Sequence, residues 1–244
     1  MSNSIPGWKY YNYAAIPTTA PHKEPDLSPI KDGSIWRIDG KKPLFARYTT
    51  NWDCGYDTGW WYVIKDTPFD ISALKTKRRY EITKGLRFFS VGEIKPTDYK
   101  DELADIQEKA WAAYPAKYRP VFNKNSFIDG LSRWDEQIKN GSLKVFGAFS
   151  TESNRLCGYA VIVCKKMYFN FIIQKVYPNC EKNNVNAALV YGILDSLKLE
   201  LADGGYVCDG ARSVYHETHF QDYLEKYFGF RKAYCKLKIA YPPL

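Results

Sequence analysis

The stretch KVYPNCEKNNVNAAL, residues 175–189, changes its pattern in the middle. Its first residues close MYFNFIIQKVYP (167–178), a run of β-branched and aromatic side chains, and Pro178 stops that run because proline has no N–H to give to a ladder. A few polar residues follow. From Asn184 the chain reads NVNAALVYGILDSLKLELA, with apolar positions at helical spacing. A strand, a polar loop and a helix are therefore expected in that order.

Working outward, LKVFGAFS (143–150) and RLCGYAVIVCKK (155–166) are two more strand-like runs, joined by the polar TESN as a hairpin turn. With MYFNFIIQKVYP they form an antiparallel meander. Two helices precede it, PTDYKDELADIQEKAWAAY (96–114), with proline and acids at its start, and SFIDGLSRWDEQIKNG, stopping at Gly141. Further upstream, Asp70 and Ser72 offer N-caps to a helix reaching Lys84 with Gly85 as its C′ stop, and RFFSVGEI (87–94) reads as a strand. Downstream come a strand, GYVCDGAR, a helix, THFQDYLEKYFG, and a final strand, FRKAYCKLKIAY. Residues 1–66 form an aromatic, turn-rich β extension packed on a core of residues 67–244.

A chain of 244 residues that is 45% hydrophobic can bury a sizeable core, which argues against disorder. Its net charge of +8 draws anions without choosing among nucleic acid, phosphorylated cofactors and acidic surfaces. Six cysteines without a CxxC pair read as reduced, buried thiols. No apolar run is long enough to span a bilayer and no leader pattern opens the chain, so a soluble, cytoplasmic protein is expected. Phosphate-loop, dinucleotide and serine-elbow motifs are all missing.

The element order from Arg87 to Tyr241, the KVYPNCEKNNVNAAL junction and the late DYLEKYFGFRKAY resemble the GNAT N-acyltransferase superfamily. The resemblance implies an α/β (α+β) fold, with a mixed, mostly antiparallel sheet flanked by helices. It also implies an acyl donor, acyl-CoA in the usual case, bound between two splayed strands. Backbone at Gln174, Lys175, Val176 and Tyr177 would then hold the donor and polarise its carbonyl, and Lys182, Asn183, Asn184, Val185 and Asn186 at the helix start would receive its phosphates. The family's alternating glycines are missing here and Glu181 would repel a diphosphate. That shifts the expected donor toward an acyl carrier protein or aminoacyl-tRNA. Where many members carry a proton-donating tyrosine, four residues before the glycine of GF, this chain has Glu225. Tyr223 and Tyr227 flank it two residues away, on a helix that turns about 100° per residue, and aromatic packing is their expected role. Tyr227 is kept beside Glu225 as a candidate proton carrier.

KRRYEITKGLRFFSVGEI, a basic helix entering a strand, is similar to the entry of the Fem-type aminoacyltransferases. On a helical wheel Arg78 falls among Ile71, Leu74, Ile82 and Leu86, so it needs a carboxylate, carbonyls or a bound anion. A structural ion pair and a donor contact both stay open.

HETH places His216 and His219 three apart beside Glu217. Without a third ligand at metal spacing, no metal is expected, and either imidazole is a candidate base. Together these residues point to an N-acyltransferase that passes an acyl or aminoacyl group from a thioester or ester to a small-molecule, sugar or peptide amine. The alternative is a catalytically degenerate GNAT-fold binding module for RNA, a carrier protein or another anionic partner. The sequence assigns no oligomeric state.

Overall fold

The computed structural model describes residues 4–212 and 219–243. In chain order the elements are β1 (Trp8–Tyr11), β2 (Ala14–Pro17), α1 (Ser28–Lys31), β3 (Phe45–Thr50), β4 (Trp61–Lys65), α2 (Thr76–Phe88), β5 (Phe89–Glu93), α3 (Lys100–Ala112) and α4 (Lys124–Lys139). They continue with β6 (Leu143–Ser150), β7 (Leu156–Lys165), β8 (Tyr168–Val176), α5 (Val185–Ser196), α6 (Lys198–Ala202), β9 (Tyr206–Ala211), α7 (His219–Phe228), β10 (Arg231–Tyr234) and β11 (Lys236–Ala240). The architecture is mixed α+β, with a mostly antiparallel sheet flanked by helices.

The chain divides into two compact units. One comprises Met1–Val63, Ala211–His216 and Lys232–Leu244, the other Ile64–Gly210 and Glu217–Arg231. The first holds a four-stranded sheet in the order β1-β2-β3-β11, over a core of Trp8, Ala15, Ile35, Ile38 and Ala46. Strand β11 belongs to this sheet, antiparallel to β3. The stretch FRKAYCKLKIAY is thus two strands, broken at the buried Cys235, whose N–H donates to the Trp60 carbonyl at 3.0 Å.

The second unit is built on β9-β8-β7-β6-β5, in that order; β4 and β10, the other members of the sheet, contain the points where the chain first enters and finally leaves this unit. Pairing is antiparallel from β5 to β8 and parallel between β8 and β9. Strand β7 is buried without a break from Leu156 to Ile162, as a strand covered on both faces must be. Helices α3 and α4 supply Leu103, Ile106 and Leu131 to a cluster with Val145, Tyr159 and Val161. Within it the Tyr159 hydroxyl donates to Gln107 Oε1, which satisfies two buried polar groups at once.

The basic segment does not form the single helix expected from its caps. Asp70 caps only a short 3₁₀ turn, Ile71–Ala73, accepting from the Ser72 N–H at 2.8 Å. Helix α2 begins at Thr76 and runs through Gly85 to Phe88. Gly85 is therefore not a stop but a contact point. A Cβ there would lie 2.6 Å from the Asn184 carbonyl oxygen and 3.2 Å from the Ala188 nitrogen, so glycine lets α2 close on the start of α5.

Candidate active site

Strands β8 and β9 pair at only three positions, Tyr168 with Tyr206, Phe169 with Val207 and Asn170 with Cys208. Immediately beyond, the β7–β8 register shifts: Val161 faces Ile173 while Ile162 faces Phe171, which leaves Ile172 as an extra residue in β8. A bulge of this kind bends its strand and increases the local twist. The two strands part at that point, and among the described residues the β8 edge from Phe171 onward has no ladder partner on the β9 side.

The gap is a cavity of about 540 Å³. Its walls are Phe171, Ile172, Ile173 and Gln174 of β8, Asp209 of β9, Glu81 of α2, Glu181, Asn184, Asn186 and Ala187 at the start of α5, and His219, Phe220 and Tyr223 of α7. Three of these carry carboxylates and none is lysine or arginine, although the chain as a whole has a net charge of +8. Burial pushes the Asp209 carboxyl up to about 7, against a smaller downward pull from a Gln221 hydrogen bond. Gln221 Nε2 also donates to the Asp209 carbonyl at 3.0 Å, tying α7 to β9. Burial first, then the negative charge of Glu81, raises the Tyr223 hydroxyl far above its ordinary value, so it stays a neutral phenol. The Tyr227 hydroxyl reaches Glu81 Oε1 at 3.4 Å. Gln174 Nε2 donates to Asn186 Oδ1 at 2.8 Å, and Gln174 Oε1 is buried without a hydrogen-bond partner among the described residues.

No protein-family profile and no curated protein sequence matches this chain. Solved structures do match. FemX superposes with a TM-score of 0.57 at 8% identity, over 85% of this chain and 74% of that one. The L-PGS of Bacillus licheniformis gives 0.54 at 13%, over 96% and 79%. A tandem GNAT protein from the clavulanic acid biosynthesis pathway gives 0.50 at 10%, over 95% and 76%. The fold is GNAT-like. At these identities the likeness bears on the fold, and Fem-type proteins are among its structural relatives.

In this GNAT-like core, β8 and β9 are the splayed pair, α5 is the helix behind the loop and α7 is the last helix. Of the backbone candidates, Gln174 lines the cavity, while the next three residues lead away from it. Lys175 Nζ donates to the Tyr114 hydroxyl at 2.7 Å. Val176 is buried against Gly158, where a Cβ would lie 2.6 Å from Val176 Cγ1. The Tyr177 hydroxyl donates to Asp105, and its ring lies under Arg155 at 4.6 Å and Lys109 at 5.2 Å.

The loop expected to hold phosphates is a 3₁₀ turn, Pro178–Asn183, that ends at Asn184 in the left-handed region with φ 61°. Asn184 and Asn186 line the cavity, and Asn184 Nδ2 donates to the Glu81 carbonyl at 3.0 Å. Val185 is buried, Asn183 is half-buried, and Lys182 is exposed with its carbonyl accepting from Lys84 Nζ at 2.7 Å. The charged side chain that this segment turns to the cavity is Glu181. That does not fit a diphosphate, which needs backbone N–H groups or cations at this place.

His219 lines the cavity, whereas His216 lies outside the described residues. Glu225 and Tyr227 are half-buried and lie off the cavity wall. Arg78 is half-buried, lies off the wall, and has no hydrogen bond or ion pair to a described residue. Asp209, Glu81 and Tyr223 are cavity residues that sequence reasoning did not assign to the site. A signal for Asp209 existed, since an acid inside the apolar run YVCDG must meet water, a partner or a ligand. Among the described residues no cluster of His, Cys, Asp and Glu could hold a metal ion, and no helix is long and apolar enough to cross a membrane.

Proposed function

We propose that the chain is an N-acyltransferase that moves an acyl or aminoacyl group from a thioester or ester donor to a primary amine. The observation that carries this is the parting of β8 from β9 around a cavity whose carboxyl group, Asp209, exchanges its proton near neutrality. The incoming ammonium is drawn by Glu81, Glu181 and Asp209 and gives a proton to Asp209, a base matched to neutral pH. Its freed lone pair adds to the carbonyl carbon. The charge that develops on oxygen is met by backbone N–H groups on the open edge of β8, and one such donor contributes about 3–4 kcal/mol. When the adduct collapses, its nitrogen gives its second proton to solvent and the C–S or C–O bond breaks. Tyr223, held neutral, protonates the departing atom and regains a proton through Asp209 and solvent.

Donor charge follows from where the acids and bases sit. Glu181 on the cavity wall disfavours coenzyme A. Helix α2 contributes Glu81 to the interior but carries Lys77 and Arg87 exposed, with Lys75 exposed at its N-cap. An acyl or aminoacyl group on an acyl carrier protein or tRNA suits that arrangement, with the polyanionic carrier on the basic side and the amine among the acids.

The test is amide formation detected by mass spectrometry. The full chain is incubated in parallel with mixed aminoacyl-tRNA, acyl carrier protein and acetyl-CoA, each with spermidine, a lysine-containing peptide and glucosamine as acceptors. A carrier-linked donor is expected to yield amide, and Asp209→Asn to abolish turnover while donor still raises the melting temperature. If no donor yields amide, the catalytic proposal fails. A donor that binds without turnover would then favour the catalytically degenerate binding module, whose support is the acid in place of a phosphate cradle.

A further inference from the structure

Cys157 of β7 and Cys180 of the turn Pro178–Asn183 are drawn together by two consecutive backbone hydrogen bonds. The Cys157 carbonyl accepts from the Tyr177 N–H at 2.9 Å, and the Tyr177 carbonyl accepts from the Cys180 N–H at 2.9 Å. Cys180 is half-buried and packs on the cluster that contains Leu156 and Tyr177. Its thiol is within hydrogen-bond reach of the Cys157 sulfur and of Asn179 Oδ1, the latter at 3.5 Å. The exposed Arg155, whose guanidinium lies 4.6 Å from the Tyr177 ring centroid, exerts its charge on both sulfurs. Burial first, then the Cys157 sulfur, pushes the Cys180 thiol up to about 12, so Cys180 is the member of the pair that keeps its proton. On losing its own proton, Cys157 is met by the Cys180 S–H and by the Arg155 cation, the surroundings that favour a thiolate.

We propose that Cys157 and Cys180 form an oxidative modification site, at which hydrogen peroxide closes an intramolecular disulfide that locks the turn Pro178–Asn183 onto β7. Cys157 is 5% exposed, and peroxide is little larger than water. The Cys157 thiolate attacks one peroxide oxygen: an S–O bond forms, the O–O bond breaks, and hydroxide leaves, taking a proton from solvent. The Cys180 sulfur then attacks Cys157: an S–S bond forms, the S–O bond breaks, and the departing hydroxide takes the Cys180 proton. Both thiols are oxidised, the peroxide is reduced, and its two oxygens leave as water. Glu181 and Asn184, next to this turn's cysteine and at its end, line the cavity, so the bridge fixes that part of the wall. The inference concerns the turn itself and does not depend on acyl transfer.

The experiment treats the folded full chain with hydrogen peroxide at neutral pH, caps the remaining thiols with an alkylating reagent and maps the peptides by mass spectrometry. A Cys157–Cys180 cross-link that dithiothreitol reverses is expected. Because the bridge restricts the unfolded chain across residues 157–180, the melting temperature should rise by about 6–12 °C. In Cys180→Ser, oxidation should stop at a Cys157 sulfenic acid, which dimedone captures, and the melting temperature should not rise. Serine keeps the size and the polar hydrogen of the half-buried Cys180, and the cross-link itself is read in the unsubstituted chain. No cross-link in the folded chain, a cross-link that lowers the melting temperature, or no dimedone on Cys157 in the variant overturns the proposal.

Discussion

Replacing Asp209 with asparagine should make this protein more stable at pH 8 and leave its stability at pH 4 almost unchanged. In the folded chain, burial holds the Asp209 carboxyl at about 7, above the ordinary 3.8. A folded-state value above the unfolded one means that the folded form keeps the proton while the unfolded chain releases it. Stability is therefore undiminished below pH 3.8, falls as pH rises through the window from 3.8 to 7, and stays reduced above it. Carried through at 1.36 kcal/mol per pH unit, the full effect is about 4 kcal/mol, an upper bound because water entering the cavity would relieve part of it. Asparagine has the same shape and no charge, so the variant escapes this cost. At roughly 2–4 °C per kcal/mol for a chain of this size, half the full effect raises the melting temperature at pH 8 by about 4–8 °C. The assay is urea or thermal unfolding of both proteins at each pH unit from 4 to 9. A pH-independent difference, or a wild type more stable at pH 8, would show that Asp209 is ionised and paired, and the proton-acceptor role would go with it.

Two further substitutions test the packing around the cleft. Gly85→Ala places a methyl group 2.6 Å from the Asn184 carbonyl oxygen, so α2 and α5 must separate. The better helix propensity of alanine, about 1 kcal/mol, offsets an overpacking cost of about 1–3 kcal/mol only in part, and lower stability by denaturant titration is expected. Because Asn184 and Glu81 both line the cavity and are hydrogen-bonded to each other, donor-induced thermal shift should fall as well. Tyr177→Phe removes the hydroxyl that donates to Asp105, the leading cause of that carboxyl's lowered proton affinity. Its folded-state value lies below the unfolded one, so the contribution is present at neutral pH and lost as pH falls through the folded value. With Asp105 partly exposed, about 1 kcal/mol should be lost at pH 7, and the difference from wild type should vanish in acid.

The GNAT-like order of strands and helices was legible because each element announces itself locally. Pro178 closes β8, TESN turns β6 into β7, and the apolar spacing from Val185 onward is helical. The extended pattern FRKAYCKLKIAY was legible as strand but not as two strands in different sheets, because only the pairing of β11 with β3 assigns it. Gly85 carries the same local signal whether it ends a helix or lets another helix approach. The approach of Asn184 chose between them.

What the sequence by itself determined was therefore the periodicity, the breaks and the sum of charge, since these depend on neighbours a few residues away. Tertiary structure alone decided where β8 and β9 part, because a bulge at Ile172 is a register relation with β7. It also decided which charges face inward. An acid at position 209 is an ordinary aspartate in the sequence, and its proton affinity moves toward neutrality only when the surrounding fold takes it out of water.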